Sequence, residues 1–246
     1  MSKNFELMNR AEREMEALRF QVAPMPVSPA ETAPRGLDPL AREETNRLVQ
    51  RLFLAMGAGA PRVVVFTGAE HGDGCSWVAA HTAQALASQV AGSVCLVDAN
   101  LRHPDIHRYF GIDPNQGLTE AILQTGPVRQ FAQSTGQRNL WVLPAGKSVP
   151  DSHTLLKSAR LAARIAELRA EFDHVLIDVP PVNAYVDGLS LGQLVDGFVL
   201  VLQANLTRRE AARKAKEIIE SARLRLLGAV LNKRTFPIPL SIYSRL

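Results

Sequence analysis

The chain has 246 residues, of which 46% are hydrophobic and 21% are charged, and its formal net charge is +4. This length and composition suit one α/β domain with a sizeable core and short tails. The two cysteines, Cys75 and Cys95, form no disulfide framework and fit no zinc-binding spacing. No apolar run approaches the ~18 residues of a membrane span, and nothing resembles a signal peptide, so we expect a cytoplasmic protein.

The first 35 residues are predicted to form a separate N-terminal region. Residues 2–19 are charged and amphipathic, with the pattern of a short helix. Residues 21–35 are rich in proline, alanine, serine and threonine, which is typical of a flexible linker. We expect the folded domain at residues 36–236 and an irregular tail at residues 237–246.

A helix is predicted to precede the first strand, with Asp38 as its N-terminal cap and Met56 as its end. Helical spacing places Glu44, Arg47 and Arg51 on one solvent-facing stripe. Charges of opposite sign at this spacing predict a row of ion pairs within the helix.

The next segment has the form of a phosphate-binding loop whose lysine is missing. A strand at residues 62–68 is followed by a glycine-containing turn and by a helix at residues 76–90. Such a loop directs backbone N–H groups at phosphate oxygens, and Ser76 occupies the position of the hydroxyl that faces Mg²⁺. Cys75 stands where the lysine should be, and the helix N-terminus is expected to lower the pKa of its thiol. The residues predicted to surround a nucleotide here are Gly72, Asp73, Gly74, Cys75, Ser76 and Trp77.

Two further apolar runs end in aspartate, at Asp98 and at Asp178. Continuous apolar residues predict parallel strands that are covered on both faces, so Cys95 is expected to be a core residue. Acidic residues at the carboxyl ends of such strands lie on the ligand-binding edge of an open sheet. Strands and helices alternate as far as Lys233, which predicts a doubly wound, mostly parallel α/β sheet flanked by helices.

Three motifs, at residues 67–76, 96–107 and 173–181, together closely resemble those of the bacterial tyrosine kinases of capsule and exopolysaccharide synthesis. These kinases belong to the MinD/ParA branch of P-loop proteins, and the resemblance covers roughly residues 40 to 233. It implies a P-loop fold that takes ATP or ADP with Mg²⁺. It also implies a membrane-spanning polysaccharide chain-length or export protein, or an intact kinase paralogue, as the partner.

The resemblance also implies roles for individual residues. Asp98 matches the aspartate that activates the attacking hydroxyl. The residues that match the surroundings of the Mg²⁺ ion are Ser76, Asp98 and Asp178. Asn232 matches the asparagine that recognises the edge of the adenine. Tyr243 stands near the C-terminus, where the family has a cluster of tyrosine phosphoacceptors.

The chain departs from the family at several of its motif positions. Cys75 replaces the P-loop lysine, Asn100 replaces the second aspartate of the second motif, and bulky Trp77 stands where a small hydroxyl residue is usual. Glu44, Arg47 and Arg51 resemble an oligomerisation motif of one glutamate and two arginines, with the last arginine displaced from position 50. Two interpretations of this stripe therefore remain open, namely self-association and ion pairs within the helix.

Three functions are compatible with these departures. Phosphoryl transfer depends on electrostatic stabilisation, and two charged parts are missing, so we favour a degenerate kinase that regulates or supports exopolysaccharide export. The alternative is an active tyrosine autokinase using ATP and Mg²⁺, with Asp98 as the base and Tyr243 as the acceptor. The third is a MinD/ParA-like positioning switch, which is disfavoured because its signature lysine is Ala69 or Glu70 here.

The C-terminal part of the chain is basic, with ten Lys or Arg against three Glu in residues 205–246. This basic region has three interpretations: it is an ordinary solvated face of a helix, it docks on a membrane-associated partner, or it binds DNA nonspecifically. No aromatic residues are interleaved with the charges, as base recognition would need, and the family resemblance alone places docking on a membrane-associated partner ahead of DNA binding. His103, Asp105 and His107 are interpreted as an ordinary loop rather than as a metal site.

Overall fold

The computed structural model describes residues 38–55, 57–149 and 152–234. The predictions made for residues 1–35, for Met56 and for Tyr243 lie outside these residues. In chain order the helices are α1 (Pro39–Val49), α2 (Cys75–Gln89), α3 (Ile106–Phe110), α4 (Leu118–Leu123), α5 (Ser152–Leu156), α6 (Ala159–Glu171) and α7 (Arg209–Ser221). The strands are β1 (Val63–Gly68), β2 (Val94–Asp98), β3 (Gln133–Ser134), β4 (Leu140–Leu143), β5 (His174–Val179), β6 (Gly197–Gln203) and β7 (Leu226–Asn232), and short 3₁₀ turns lie at Gly57–Gly59, Val128–Phe131 and Asp187–Leu194.

The seven strands form one sheet in the order β3-β4-β2-β5-β1-β6-β7. All neighbouring strands are parallel except β3, which runs antiparallel to β4. Helices cover both faces of the sheet, so the predicted doubly wound α/β architecture is confirmed.

The core lies on both faces of the sheet, because successive strand residues point in opposite directions. Val63 and Val65 of β1 pack on the face covered by α4, α6 and α7. Val64 and Phe66 pack on the opposite face, which α1 and α2 cover. All four side chains are completely buried, which explains why the strand is continuously apolar rather than alternating.

The helix before the sheet begins where it was predicted to begin. Asp38 stands at the N-cap position and Pro39 occupies the first turn, where its missing N–H costs nothing, but the Asp38 side chain makes no capping hydrogen bond. From Gln50 to Leu54 the helix widens into a π-helical turn. That segment buries Leu52 and Phe53 against the core.

The parallel arrangement brings the carboxyl ends of the central strands to one edge of the sheet. Asp98 at the end of β2 lies directly opposite Asp178 in the neighbouring strand β5, as the sequence predicted. No helix within the described residues is long and apolar enough to cross a membrane.

Candidate functional site

The loop between β1 and α2 has the backbone shape of a phosphate-binding loop. Gly72 and Gly74 adopt left-handed conformations, with φ of 91° and 80°. A side chain at Gly74 would also bring its Cβ to 2.4 Å from Asn232 Nδ2, so the turn requires glycine there. The first N–H groups of α2 have no partner within the helix, so they are available to an anion at this end.

The carboxylate of Asp73 is buried and accepts hydrogen bonds from around its own loop. Its Oδ2 accepts from the backbone N–H of Ala69 at 2.9 Å and of Glu70 at 2.8 Å. Its Oδ1 accepts from Thr207 Oγ1 at 2.6 Å and from the backbone N–H of Gln203 at 3.2 Å. Asp73 was predicted among the nucleotide-contacting residues, and its carboxylate also ties the loop to the end of β6.

Cys75 and Ser76 both direct their side chains to Asp178. Ser76 Oγ donates to Asp178 Oδ2 at 2.6 Å, and the Cys75 thiol interacts with the same carboxylate. Burial, followed by the negative charge of Asp178, raises the pKa of the Cys75 thiol well above its ordinary value. The predicted lowering of this pKa is therefore wrong, because burial and a carboxylate outweigh the partial positive charge of the helix N-terminus. Cys95, in contrast, is a fully buried core residue, as predicted.

Asp98 is completely buried and is enclosed by the loop that follows β2. Its Oδ1 accepts from the backbone N–H of Asn100 at 3.1 Å. Its Oδ2 accepts from the backbone N–H groups of Asp105 and Ile106, both at 3.2 Å. Asp98 therefore shapes the loop that carries the second motif, whether or not it also acts as a base.

Asp98 and Asp178 form a buried pair of carboxylates. Burial, and then the charge of Asp178, raises the pKa of Asp98 well above its usual range. Burial raises the pKa of Asp178 to about 6, although the hydrogen bonds from Ser76 and Cys75 oppose this shift. Cys75 places a thiol, and no positive charge, beside this pair.

The donor atoms near Asp178 suit a divalent cation. Asp178 Oδ1 is buried and has no hydrogen-bond partner among the described residues, and Ser76 Oγ lies beside the same carboxylate. Carboxylate and hydroxyl oxygens are the ligands that Mg²⁺ prefers. Both oxygens of Asp98 already accept backbone hydrogen bonds, so Ser76 and Asp178 fit the cation better than Asp98 does.

A cleft of about 610 Å³ lies between the phosphate-binding loop and the segment after β2. Arg102 on its wall bonds Asp187 at 2.9 Å and places its guanidinium 4.5 Å from the centre of the Tyr185 ring. Trp77, also on the wall, stacks on His81 with ring centres 4.2 Å apart. The basic and aromatic side chains lining the cleft include His71, Trp77, Arg102, His103, His107, Arg108 and Tyr109. No group of three or more His, Cys, Asp or Glu side chains in the described ranges is arranged to hold a metal.

The end of β7 contacts the phosphate-binding loop from outside this cleft. Asn232 Nδ2 donates to the backbone carbonyl of Asp73 at 2.9 Å. The ammonium of Lys233 donates to the carbonyl of Gly72 at 2.9 Å. Asn232 was predicted to contact the adenine, whereas no role was predicted for Lys233. The signal for Lys233 was its position directly after the motif asparagine.

The remaining predicted residues lie on exposed helix faces. Arg47 Nη1 bonds Glu44 at 2.7 Å and Arg47 also pairs with Glu43, so ion pairing within α1 is present. Arg51 is exposed on the same helix, and the role of this stripe in self-association stays a prediction. The basic residues around α7 are also exposed, namely Arg208, Arg209, Arg213, Lys214 and Lys216.

Comparison with known proteins gives a consistent set of relatives, although no family model matches the chain. The chain is 37% identical over 169 residues to the tyrosine-protein kinase YwqD of Bacillus subtilis strain 168, covering 69% of this chain and 71% of that protein. Among solved structures, the chimerical protein CapA2B2 superposes with a TM-score of 0.76 at 27% identity, covering 82% of this chain and 88% of that one. A ParA family ATPase from Chlorobium tepidum TLS superposes with a TM-score of 0.61 at 20% identity over 71% of this chain and 75% of that one, a likeness of fold alone.

Proposed function

The chain belongs to the bacterial tyrosine kinase family, and on that premise we propose that it is a catalytically degenerate member that binds nucleotide weakly. The observation that carries this proposal is Cys75 beside Asp178, because a thiol whose pKa is raised by burial stands where the family resemblance places a lysine. The protein then supports exopolysaccharide synthesis or export through protein contacts rather than through phosphoryl transfer.

The size of the missing interactions separates binding from turnover. Loss of one charge-assisted hydrogen bond to a phosphate costs roughly 1.5 to 3 kcal/mol, or about 10- to 100-fold in affinity. The backbone N–H groups at the start of α2 remain, so binding survives this loss. Transfer of a phosphoryl group needs several charges placed at once, and Cys75 and Asn100 remove two of them.

In this proposal Ser76 and Asp178 would hold Mg²⁺ when a nucleotide is bound, and the ion would supply positive charge against the phosphates. Asp98 keeps the loop from Asn100 to Ile106 in place through its backbone hydrogen bonds. Asn100 provides an amide where the family has a carboxylate. Nucleotide binding is therefore expected to depend only mildly on Mg²⁺.

We further propose that the protein is cytoplasmic and peripheral at the inner membrane. Its partner would be a membrane-spanning polysaccharide chain-length or export protein, or an intact kinase paralogue. The family resemblance supports this proposal. The exposed stripe of Glu44, Arg47 and Arg51 on α1 is the proposed surface for self-association.

An active tyrosine autokinase is the second candidate, because Ser76, Asp98 and Asp178 are all present at the sheet edge. In that case Asp98 would be the base and Tyr243 the phosphoacceptor. The hydrogen bonds that enclose Asp98 count against it, since its carboxylate would have to leave three backbone donors to reach a hydroxyl.

The test combines calorimetry with mass mapping. We expect the purified protein to bind ADP and ATP weakly, with little change when Mg²⁺ is removed, and to gain no phosphotyrosine after incubation with labelled ATP. Tight, strictly Mg²⁺-dependent ATP binding would contradict the proposal. Phosphate on Tyr243 that disappears in Asp98→Ala would establish the autokinase instead.

A further inference from the structure

The phosphate-binding loop lacks a cation of its own but has one supplied from a distant segment. Residues 68–77 contain no Lys or Arg, and the side chain at position 75 is a thiol directed at Asp178. Lys233, which follows β7, places its ammonium 2.9 Å from the carbonyl oxygen of Gly72. A positive charge therefore sits at the backbone of the loop without coming from the loop sequence.

Several contacts hold Lys233 in this place. Its backbone is left-handed, with φ of 53°, and its N–H donates to Asn232 Oδ1 at 2.8 Å. Its ammonium also donates to Gln203 Oε1 at 3.2 Å. The Cε atom of Lys233 lies 3.6 Å from the position that a Cβ on Gly74 would occupy. The aliphatic part of the side chain therefore extends over the Gly74 turn of the phosphate-binding loop. The ammonium is thus positioned before any ligand arrives.

We propose that Lys233 supplies the positive charge lost at position 75 and is a nucleotide-binding residue of this chain, acting on the diphosphate common to ADP and ATP. This inference rests on the proposed function, since it assumes that the site takes a nucleotide. The ammonium contacts the outer, carbonyl side of the loop, so it attracts phosphates through space and does not replace a direct lysine contact.

The position of the charge also determines its selectivity. Cys75 and Ser76 lie beside Asp178, where the cation-binding oxygens are, whereas Lys233 approaches from the Asn232 end of the loop. A cation at the Asn232 end stabilises a bound diphosphate without adding charge beside Asp178. Lys233 should therefore favour ADP and ATP to the same extent and give no help to turnover.

The experiment measures ADP and ATP binding by calorimetry in Lys233→Met, with Lys214→Met as the matched control. Lys214 is an exposed lysine on α7, and its replacement changes the net charge equally. We expect Lys233→Met to weaken both nucleotides by about three- to tenfold, the size of a partly screened charge interaction. Lys214→Met should bind like the wild type, and Lys233→Arg should retain most of the affinity.

A second measurement separates a charge effect from a loss of loop structure. In the Cys75→Lys background a lysine already neutralises the phosphates, so Lys233→Met should there cost clearly less affinity than in the wild type. Equal losses of affinity in both backgrounds, together with a lower Tm of the Lys233→Met variants, would mean that Lys233 only stabilises the structure of the loop. That result would overturn the inference.

The two proposals can fail separately. Nucleotide affinity that is unchanged in Lys233→Met would overturn the role of Lys233 while leaving the proposed nucleotide-binding site standing. A wild-type chain that binds neither ADP nor ATP would overturn both the role of Lys233 and the nucleotide binding in the proposed function.

Discussion

At the scale of single residues, the environment of a side chain decides its chemistry as much as its place in a motif does. Cys75 sits at the start of a helix, which would lower the pKa of an exposed thiol. Its burial beside Asp178 raises that pKa instead. Residues 68–77 contain no Lys or Arg, so the loop sequence itself offers no cation to the two buried carboxylates.

Cys75→Lys is expected to tighten ATP binding by about tenfold, the size of one charge-assisted contact. The new ammonium would lie beside Asp178 and near the phosphates. Calorimetry on this variant and on Cys75→Met, which adds length without charge, gives the comparison. A gain no larger than that of Cys75→Met would mean that the loop is not built around phosphate.

The raised pKa of Asp178 predicts how the stability of the protein depends on pH. Its folded-state pKa of about 6 exceeds the ordinary aspartate value of about 3.9, so the folded protein holds this proton more tightly than the unfolded chain does. Its contribution to stability is complete below about pH 4 and is lost as the pH rises through about 6. Asp178→Asn is neutral at every pH and should therefore gain stability over the wild type as the pH increases.

We expect the Tm difference between Asp178→Asn and the wild type to grow by about 3 °C or more from about pH 5 to about pH 7.5. Differential scanning calorimetry at both pH values measures this difference. Asp113→Asn, which changes an exposed aspartate, is the control and should show little change. A pH-independent difference for Asp178→Asn would show that Asp178 titrates normally in the fold.

At the scale of elements, the ends of β6 and β7 hold the phosphate-binding loop from outside. Gln203 and Thr207 bond the carboxylate of Asp73, and Asn232 bonds its backbone carbonyl. The loop is therefore anchored by its own protein contacts.

Asp73→Ala is expected to lower the free energy of unfolding by about 2 to 4 kcal/mol, because it leaves buried donors on the loop and on β6 without an acceptor. Urea denaturation is the measurement. Thr207→Val removes the bond to Asp73 and the bond that its hydroxyl accepts from the Gln203 N–H, but Gln203 keeps Asp73 as an acceptor, so this variant should cost only about 1 kcal/mol. Equal losses in the two variants would show that Asp73 does not anchor the loop.

At the scale of the whole molecule, the sheet, both core layers and the convergence of strand ends are complete within the described residues. In the proposed function, the charges at the loop no longer support turnover, and the fold serves by presenting surfaces to other proteins. The basic residues near α7 and the charged stripe on α1 are the exposed candidates for such contacts.

We expect the full chain to copurify with an inner-membrane polysaccharide protein or with an intact kinase paralogue. Residues 1–35 precede the described domain and are predicted to form a tethered contact segment, so the chain from residue 36 onward should recover less of the partner. Pull-downs of both forms, followed by mass spectrometry, make the comparison. Recovery of DNA, or of no membrane component with either form, would favour the positioning-switch hypothesis.

The sequence by itself determined the fold class, the strands that carry the motifs and the aspartates that meet at the sheet edge. The physical reason is that buried parallel strands need continuous apolar residues, so β1, β2 and β5 are visible as runs. The departures at Cys75 and Asn100 were equally visible, because they fall inside recognisable motifs.

Only the tertiary structure decided the state of the groups in the site. The raised pKa of Cys75 and the enclosure of Asp98 depend on burial and on neighbours in space. The link from Lys233 to Gly72 joins residues 161 positions apart, so the position of Lys233 after the motif asparagine could not show which atoms it contacts. Periodicity and motifs describe neighbours along the chain, whereas the electrostatics of this site come from segments that meet only when the sheet is assembled.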